Sequence, residues 1–292
     1  MSIAYPFSAG NAAAGTLLPP GACDCHFHLY DARVPAVPGA TLRPPDASID
    51  DYRCIQQRMG TTRAVQVTPS TYGTNNALLL EGLQQQGDAG RGVAVIAGDE
   101  PDEVLQALHR AGVRGARINL SVSAIHDPAS IATISRRIAP LGWHLQLLMP
   151  VAQLLALAPQ LPDLPVDLVF DHFGRIVPGD DECHAAHDLL LRLLASGRAW
   201  IKLSGGYIVS PLKHIDDPAL DALAKSFIDV APHRVLWGSD WPHATASAGH
   251  CAMPDDAHQI DRLAQWAGST ARLQQILVTN PERLYGFPSS TH

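Results

Sequence analysis

Residues 21–31 have the sequence GACDCHFHLYD and form the first strand of a pattern that repeats to the end of the chain. Side chains alternate between the two faces of a strand, so Asp24, His26 and His28 are predicted to share one face. The opposite face, apolar enough to pack against helices, carries Cys23, Cys25 and Phe27. Buried imidazoles need hydrogen-bonding partners, so two histidines on one face of a strand are costly in a core and favour a functional site. The alternative is a core strand whose histidines hydrogen-bond to nearby backbone.

Short apolar strands followed by helical patterns recur after this segment. Seven further strands are predicted at 63–68, 92–97, 115–120, 144–148, 166–171, 199–203 and 234–238. Helices are predicted at 50–59, 76–86, 101–111, 131–139, 151–158, 182–195, 218–230 and from 255 onward, with Asn280 and Pro281 as the cap and first turn of the last one. Eight such strands in 292 residues predict an α/β fold, a (β/α)8 TIM-like barrel. The alternative, a doubly wound open sheet, lacks its glycine-rich dinucleotide loop after the first strand.

Composition narrows the class of protein. With 46% hydrophobic and 17% charged residues, the chain has enough apolar side chains for one large core. A formal net charge of −7 without any run of Lys or Arg argues against a nucleic-acid partner, and no apolar stretch is long enough to cross a bilayer. Five scattered cysteines and a poor signal peptide predict a cytoplasmic protein. We expect a loose N-terminal arm over residues 1–20, on the barrel's N-terminal side, and one barrel domain over 21–292.

The active sites of such barrels lie at the carboxyl ends of the strands. The residues with chemically capable side chains at these ends are His26, His28, Ser70, Tyr72, Arg117, Asn119, Asp171, His172, Lys202, Ser204, Asp240 and His243. Asp240 follows an apolar strand and is suited to act as a general base or a metal ligand, the alternative being a helix cap. His172 is favoured as a site residue over a core histidine, and Lys202 is either a catalytic amine or a paired structural lysine. Histidines in helices and loops, including His126 and His250, are expected at the surface.

Several motifs resemble a known family. The histidine pair in HFH, together with Asp240, resembles the amidohydrolase superfamily. The runs VTPSTYGTNN, GVRGARINL, FDHFGR, KLSGGY and LWGSDWPH resemble its amidohydrolase-related branch, typified by 2-pyrone-4,6-dicarboxylate hydrolase. The resemblance extends from about residue 20 to the end of the chain. It implies a distorted (β/α)8 barrel of the amidohydrolase type that hydrolyses a lactone.

The positions that match the family's site fall into two groups. The catalytic group, a water-activating base and the imidazoles around the scissile carbonyl, consists of Asp240, His26, His28 and His172. The substrate-contacting group consists of Ser70 and Arg117. We add two rim residues to this second group, with structural hydrogen bonds as the alternative: Tyr72 and His243.

The predicted site departs from the family in its metal ligands. Two-metal members resemble one another in a lysine on strand four and histidines on strands five and six, whereas this chain has Arg117 and Gln146 on strands four and five. A reaction without any metal cofactor is therefore favoured. The alternative is one divalent ion such as zinc, held by His26, His28 and Asp240.

The substrate-binding positions also differ. Two arginines that hold substrate carboxylates in the resembled hydrolases correspond here to Ser123 and Ile208. Their loss removes two guanidinium groups capable of bidentate carboxylate recognition. Arg117 alone suits a monocarboxylate or a lactone oxygen, so a sugar lactone or a ring-cleavage lactone is expected rather than a dicarboxylate.

Together these residues predict a hydrolase that opens a lactone ring, with a small-molecule lactone or carboxylate as its substrate. Three other functions remain open at this point. The first is a single-metal-dependent decarboxylase of the same superfamily. The second is a lactone isomerase, in which an internal hydroxyl replaces water as the nucleophile. The third is a non-catalytic barrel that binds a small ligand.

Overall fold

The computed structural model describes residues 5–121 and 125–289, and its centre is a sheet of eight parallel strands. The strands are β1 Cys23–Phe27, β2 Arg63–Val67, β3 Gly90–Ala94, β4 Val113–Asn119, β5 His144–Leu148, β6 Leu168–Phe170, β7 Ala199–Ser204 and β8 Val235–Gly238. Each strand hydrogen-bonds with the next one along the chain. Helices lie between the strands, which confirms the predicted (β/α)8 barrel.

The helices cover the outside of the barrel. They are α1 Ile49–Met59, α2 Ala77–Gln86, α3 Asp102–Arg110, α4 Ser130–Ile138, α5 Val151–Leu157, α6 Asp181–Ala195, α7 Gly206–Val209, α8 Pro218–Val230, α9 Ala244–Ser247, α10 Asp256–Ala267, α11 Thr270–Gln274 and α12 Asn280–Tyr285. The long helices between strands begin and end within one residue of their predicted bounds. Within the part of the chain that the structure describes, no helix combines the length and apolarity that a membrane span requires.

β8 and β1 close the barrel through residues at and just past their ends. Phe27 pairs with Trp241 in a parallel bridge. The amide of His28 donates to the carbonyl of Trp241 at 2.8 Å, and the amide of Asp240 donates to the carbonyl of His26 at 2.8 Å. The closure therefore holds the two β1 histidines beside Asp240.

A bulge in β1 overturns the predicted division of its faces. Asp24 pairs with Ala64 and Phe27 pairs with Gln66, so three steps along β1 correspond to two along β2. The extra residue reverses the alternation between Cys25 and His26. The interior of the barrel therefore holds both cysteines and, above them, both histidines. Asp24 faces the helical layer instead, where it accepts hydrogen bonds from the hydroxyls of Tyr52 (2.9 Å) and Ser239 (2.6 Å).

The third strand begins two residues earlier than predicted, at Gly90 rather than 92. A Cβ on Gly90 would lie 2.6 Å from the Cβ of Gln86, and one on Gly92 would lie 2.9 Å from Cδ1 of Leu83. Both glycines thus allow α2 to pack closely on the strand.

The end of the chain also differs from the prediction, because Asn280 is not a helix cap. A π-helical turn, Gln275–Thr279, joins α11 to α12, and Asn280 has a helical φ of −65°. Its side-chain amide donates to the carbonyls of Pro232 (2.8 Å) and Val235 (2.7 Å). Asn280 therefore attaches the last helical segment to the start of β8.

The described part of the N-terminal arm is anchored, contrary to the prediction of a loose arm. The Arg58 guanidinium on α1 donates to the carbonyls of Ala9 and Ala12, both at 2.8 Å, and to Oγ of Ser8 at 2.9 Å. It also forms an ion pair with Asp255 at 2.6 Å, just before α10. The arm thus connects α1 to the start of α10.

Candidate active site

Three imidazoles converge on one carboxylate at the carboxyl ends of the strands. Oδ1 of Asp240 lies 3.7 Å from Nε2 of His26, 3.8 Å from Nε2 of His28 and 3.9 Å from Nε2 of His172. The two β1 histidines are themselves 3.3 Å apart at Nε2. The structure thus brings together the four residues predicted as the catalytic group.

The backbone around this cluster is held in an uncommon conformation. Asp240, His172 and His243 have φ values of 66°, 49° and 57°, in the left-handed region that side chains other than glycine rarely adopt. Residues in such conformations cost about 1–3 kcal/mol each and persist where surrounding structure requires them, often at functional sites. Here the conformation follows β6 and β8 directly and positions the site side chains there.

A buried polar network lies beneath His26. Lys202 donates to Oε1 of Gln146 at 2.6 Å, and its Nζ lies 3.3 Å from Nδ1 of His26 and 3.7 Å from Oδ1 of Asp171. Asp171 also accepts from Arg117 (3.3 Å) and from the amide of Gln146 (3.0 Å). Lys202 is therefore paired and fully buried below the imidazoles, as the structural alternative had it.

Asp171 was seen at its strand end but given no role from sequence. Burial alone would raise the pKa of the Asp171 carboxyl, but His26 and Lys202 outweigh burial and hold this pKa well below its usual value. Burial lowers the pKa of Lys202, and the negative charge of Asp171 opposes that shift. Asp171 and Lys202 therefore form a charged pair, and both side chains contact Nδ1 of His26 at 3.3 Å.

A second hydrogen-bonded network contacts Asp240 through Oδ2, the carboxylate oxygen that does not face the imidazoles. The Tyr207 hydroxyl donates to Oδ2 of Asp240 at 2.8 Å and lies 3.2 Å from Nδ1 of His243. Nε2 of His243 lies 3.1 Å from both carboxylate oxygens of Asp256. His243 is fully buried and does not line the cavity, so its predicted substrate contact is replaced by a link between Tyr207 and Asp256.

Sequence reasoning missed Tyr207 and Asp256. The run KLSGGY contains Tyr207 and was the one available signal for it. Asp256 is the first residue of α10 and has the appearance of an ordinary acidic residue at a helix start. Its contact with His243 depends on how α10 packs, which no local pattern reveals.

The charges of the central groups follow from burial and from their neighbours. Burial lowers the pKa of His28 to about 4 and moves the pKa of His26 well below its usual value, so both rings are neutral at pH 7. Burial would raise the pKa of Asp240, but His172, His26 and His28 outweigh it and the net shift is downward. Asp240 is therefore a carboxylate at neutral pH.

Hydrogen-bond geometry places the protons on the two rings. Nδ1 of His28 lies 2.7 Å from the carbonyl of Val67, so this nitrogen carries the proton and Nε2 offers a lone pair. Two tautomers of His26 are compatible with its hydrogen-bonding partners. In one, Nδ1 donates to Asp171, which is 3.3 Å away, and Nε2 offers a second lone pair. In the other, Nδ1 accepts from Lys202 and the Nε2 proton points to His28.

A cavity of about 350 Å³ opens above the cluster. Asp240, His28, His172, Ser70 and Arg117 line it. The proline-rich loop after β1 forms part of its wall through residues 40–42. The structure thus brings two of the four predicted substrate contacts, Ser70 and Arg117, to the same cavity as the catalytic group.

Other predicted positions are placed differently. Tyr72 is not among the cavity-lining residues; its hydroxyl instead accepts from the amide of Asp31 at 2.9 Å. His126, expected at the surface, is buried with Nε2 2.7 Å from the carbonyl of Ile96. His250 is exposed, as expected, and lies at the cavity wall, as does Ile208. Ser123 lies outside the described residues.

The donor set of His26, His28 and Asp240 fits one divalent ion. Their ligand atoms face one another in a buried group, and Asp240 also reaches the cavity, where water has access. The second nitrogen of each ring is oriented by a carbonyl or a carboxylate, as is usual for metal-bound histidines. Two nitrogens and one oxygen are a ligand set suited to a catalytic zinc site.

The fold and the site together define a class: a parallel α/β barrel with a carboxylate among imidazoles at the carboxyl ends of its strands. The chain belongs to the amidohydrolase family, whose model (Amidohydro_2, "Amidohydrolase") matches residues 23–287. The resemblance inferred from the motifs is thereby confirmed.

Curated relatives of the chain are lactone-transforming enzymes by name. The chain is 32% identical to a 2-pyrone-4,6-dicarboxylate hydrolase of Comamonas testosteroni, covering 92% of this chain and 91% of that protein. It is 28% identical to a 4-sulfomuconolactone hydrolase of Hydrogenophaga intermedia (92% and 90%) and to a D-galactarolactone isomerase of Agrobacterium fabrum (94% of each). A crystal structure of an Agrobacterium tumefaciens protein that is 27% identical to this chain superposes on it with a TM-score of 0.85. The match covers 95% of this chain and 100% of that one.

Proposed function

We propose that this protein is a hydrolase that opens a lactone ring by attack of an Asp240-activated water on the ring carbonyl. The observation that carries the proposal is the convergence of three imidazoles on the Asp240 carboxylate at the floor of a cavity of about 350 Å³. The names of the relatives support the same reaction class. Because Asp240 is ionised at neutral pH, it is ready to accept a proton.

The reaction proceeds in two proton-balanced steps. Asp240 takes a proton from water while the water oxygen bonds to the carbonyl carbon, giving a tetrahedral oxyanion and a protonated Asp240. The bond between that carbon and the ring oxygen then breaks. Asp240 returns its proton to the departing ring oxygen, so the product is an open hydroxy acid (or its keto form) and the carboxylate is restored.

The imidazoles stabilise the oxyanion by donating N–H groups. Lys202 can donate to Nδ1 of His26, which leaves the His26 proton on Nε2, where it points to His28 in the free protein and lies 3.7 Å from Asp240; in this proposal the proton turns from His28 to the oxyanion as the oxyanion forms. Oγ of Ser204 lies 3.0 Å from Nδ1 of His172, and a proton donated there leaves the His172 proton on Nε2. Removing one such oxyanion donor costs about 10²–10³-fold in rate in well-studied enzymes.

His26, His28 and Asp240 would hold a divalent ion if the protein binds one. A zinc-type ion there would polarise the carbonyl and lower the pKa of a bound water. The chain's own residues nevertheless supply a base and two N–H donors. Metal-independent hydrolysis is therefore our proposal, with a single-metal-dependent decarboxylase as the alternative.

The remaining features support a small-molecule enzyme in the cytoplasm. The five cysteines are all free, which suits a reducing compartment. The cavity has the volume of a site for a single small ligand. The role of Ser70 in this proposal is to contact the substrate, oriented by the side-chain amide of Asn119, which donates to its hydroxyl at 2.8 Å.

Turnover of a lactone panel in oxygen-18 water tests the reaction class. The panel contains aldonic-acid lactones and unsaturated lactones, and acid release is followed with a pH indicator. We expect a product heavier than the substrate by one water, with a single oxygen-18 in the new carboxylate. A product of unchanged mass would replace the hydrolase by an isomerase, as in the D-galactarolactone relative. Loss of carbon dioxide would instead indicate the decarboxylase.

A further inference from the structure

The N-terminal arm contacts two parts of the chain that hold Asp240. Phe7 packs against Trp241, which directly follows Asp240. Ser8 binds Asp256, the first residue of α10. We propose that Phe7 and Ser8 are positioning residues, through which the arm keeps the Asp240 carboxylate in the orientation that activates water. This inference rests on the proposed function and adds a segment outside the cavity on which the rate depends.

The indole of Trp241 is fully buried, and the arm supplies its hydrogen-bond acceptor. Nε1 of Trp241 donates to the carbonyl of Pro6 at 2.9 Å. The ring of Phe7 meets the indole edge to face, with the ring centroids 5.7 Å apart and the planes at 80°. A buried N–H group is costly to leave without an acceptor, so these contacts hold the indole against the arm.

The backbone of Trp241 belongs to the closure of the barrel beside the site. Its carbonyl accepts from the amide of His28 at 2.8 Å, and its amide donates to Oγ of Ser239 at 3.1 Å. Asp240 lies between Ser239 and Trp241 and has a φ of 66°, so the direction of its side chain depends on how these two neighbours are held. The arm fixes one of the two neighbours through its indole.

The second contact of the arm is made at the start of α10. Asp255 is the N-cap of this helix and accepts from the amides of Ala257 and His258. The amide of Asp256 donates instead to Oγ of Ser8 at 3.2 Å. Because the first amides of a helix have no partner within it, the arm completes the cap of α10.

Asp256 connects this cap to the network that contacts Oδ2 of Asp240. Its two carboxylate oxygens lie 3.1 Å from Nε2 of His243, whose Nδ1 lies 3.2 Å from the hydroxyl of Tyr207. Tyr207 donates to Oδ2 of Asp240 at 2.8 Å. A displacement of the start of α10 therefore reaches the carboxylate through three side chains, all of them buried.

The backbone of the arm is constrained where it makes these contacts. Phe7 has a φ of 51°, in the left-handed region, which is a costly conformation for a residue with an aromatic side chain. Gly10 turns with a φ of 71° against Asp255, and a Cβ there would lie 2.0 Å from Oδ2 of that aspartate. Strain of this kind persists where surrounding contacts require it, and here those are the contacts of Phe7 and Ser8.

Another anchor of the arm provides the matched control. The carboxylate of Asp261 on α10 accepts from the amides of Gly15 (3.1 Å) and Thr16 (2.7 Å). It holds a later part of the arm and takes no part in the contacts of Phe7 and Ser8. Asp261→Ala therefore loosens the arm without removing either of those contacts.

The test measures kcat and KM for a lactone that the wild type opens, in Phe7→Ala, Phe7→Leu, Ser8→Ala and the control Asp261→Ala. Phe7→Ala is also made in the Asp240→Asn background. A second readout needs no substrate: hydrogen exchange of the Trp241 backbone amide, followed by NMR in protein containing nitrogen-15-labelled tryptophan. The chain has five tryptophans, and Trp241→Phe assigns the signal. If Phe7→Ala does not fold, Phe7→Leu and Ser8→Ala serve the same comparisons.

We expect Phe7→Ala to lower kcat about tenfold with little change in KM, a fraction of the about 100-fold that a misplacement of about 1 Å costs. Ser8→Ala should lower kcat in the same way, Phe7→Leu should retain more of the rate than Phe7→Ala, and Asp261→Ala should keep the wild-type kcat. In the Asp240→Asn background Phe7→Ala should cause no further loss, because the carboxylate through which the arm acts is absent. The Trp241 amide should exchange about tenfold faster in Phe7→Ala than in the control.

Three results would overturn the positioning role. They are a kcat in the arm variants equal to that of the control, an equal loss in the Asp240→Asn background, and unchanged exchange of the Trp241 amide. A wild type that opens no lactone of the panel would overturn the proposed function instead. The amide exchange alone would then support or reject the contribution of the arm to the position of residues 240–241.

Discussion

Asp240 connects two hydrogen-bonded groups that meet at the cavity floor. Its Oδ1 faces the imidazoles, and its Oδ2 accepts from Tyr207, which in turn contacts His243. Replacing Tyr207 by Phe removes the donor that orients the carboxylate, so we expect kcat to fall about 10–100-fold while KM changes little. Tyr285→Phe is the control, because the Tyr285 hydroxyl has no hydrogen-bond partner among the described residues. A kcat equal in both variants would remove Tyr207 from the positioning of Asp240.

His28 makes stability depend on pH. Burial lowers its pKa from 6.5 to about 4, so the unfolded chain binds a proton more readily than the folded one between these values. The resulting stabilisation is complete above pH 6.5 and is lost as the pH falls towards 4. Over that interval we expect the free energy of unfolding to drop by about 1.4 kcal/mol per pH unit from this group. Urea unfolding at pH 7 and pH 5 should show a smaller drop in His28→Asn than in the wild type; an equal drop would contradict the assignment.

At the scale of elements, the sequence predicted the barrel and most helix bounds but not the local details that orient side chains. Alternation along β1 predicts one face for Asp24 and His26, and a single extra residue reverses that relation. The strand ends identified His26, His28, His172 and Asp240 because the topology itself gathers them. Contacts between distant elements, such as Asp256 with His243, depend on packing and left no signal in the sequence.

The N-terminal arm depends on one buried arginine of α1. Arg58 connects the arm to α1 and to Asp255 through four partners, and its side chain is fully buried. Replacing it by Ala should lower the free energy of unfolding by about 3–5 kcal/mol, because the pair is broken and the arm's carbonyls lose their donor. Arg53→Ala on the same helix breaks an exposed pair with Asp50 and should cost less than about 1 kcal/mol. If both variants lost a similar amount of unfolding free energy, the contacts of Arg58 with the arm would contribute little to stability.

For the molecule as a whole, the question of metal separates the proposed hydrolase from its decarboxylase alternative. The hydrogen-bonded series Lys202–His26–His28 satisfies the ring nitrogens without an ion. We therefore expect hydrolysis to persist after dialysis against a chelator, with metal content far below one ion per chain by elemental analysis. Activity that disappears on chelation and returns with a stoichiometric divalent ion would assign His26, His28 and Asp240 as its ligands instead.

The most direct test of the central claim is the kcat/KM of Asp240→Asn on a lactone that the wild type opens. Asparagine keeps the shape of the side chain but cannot accept a proton from water, so we predict a fall of about 10²–10⁴-fold, with an unchanged circular-dichroism spectrum. Asp188→Asn, which changes an exposed aspartate on α6, should keep the wild-type rate. An Asp240→Asn protein that opens the lactone at a near-wild-type rate would contradict Asp240 as the base that activates water.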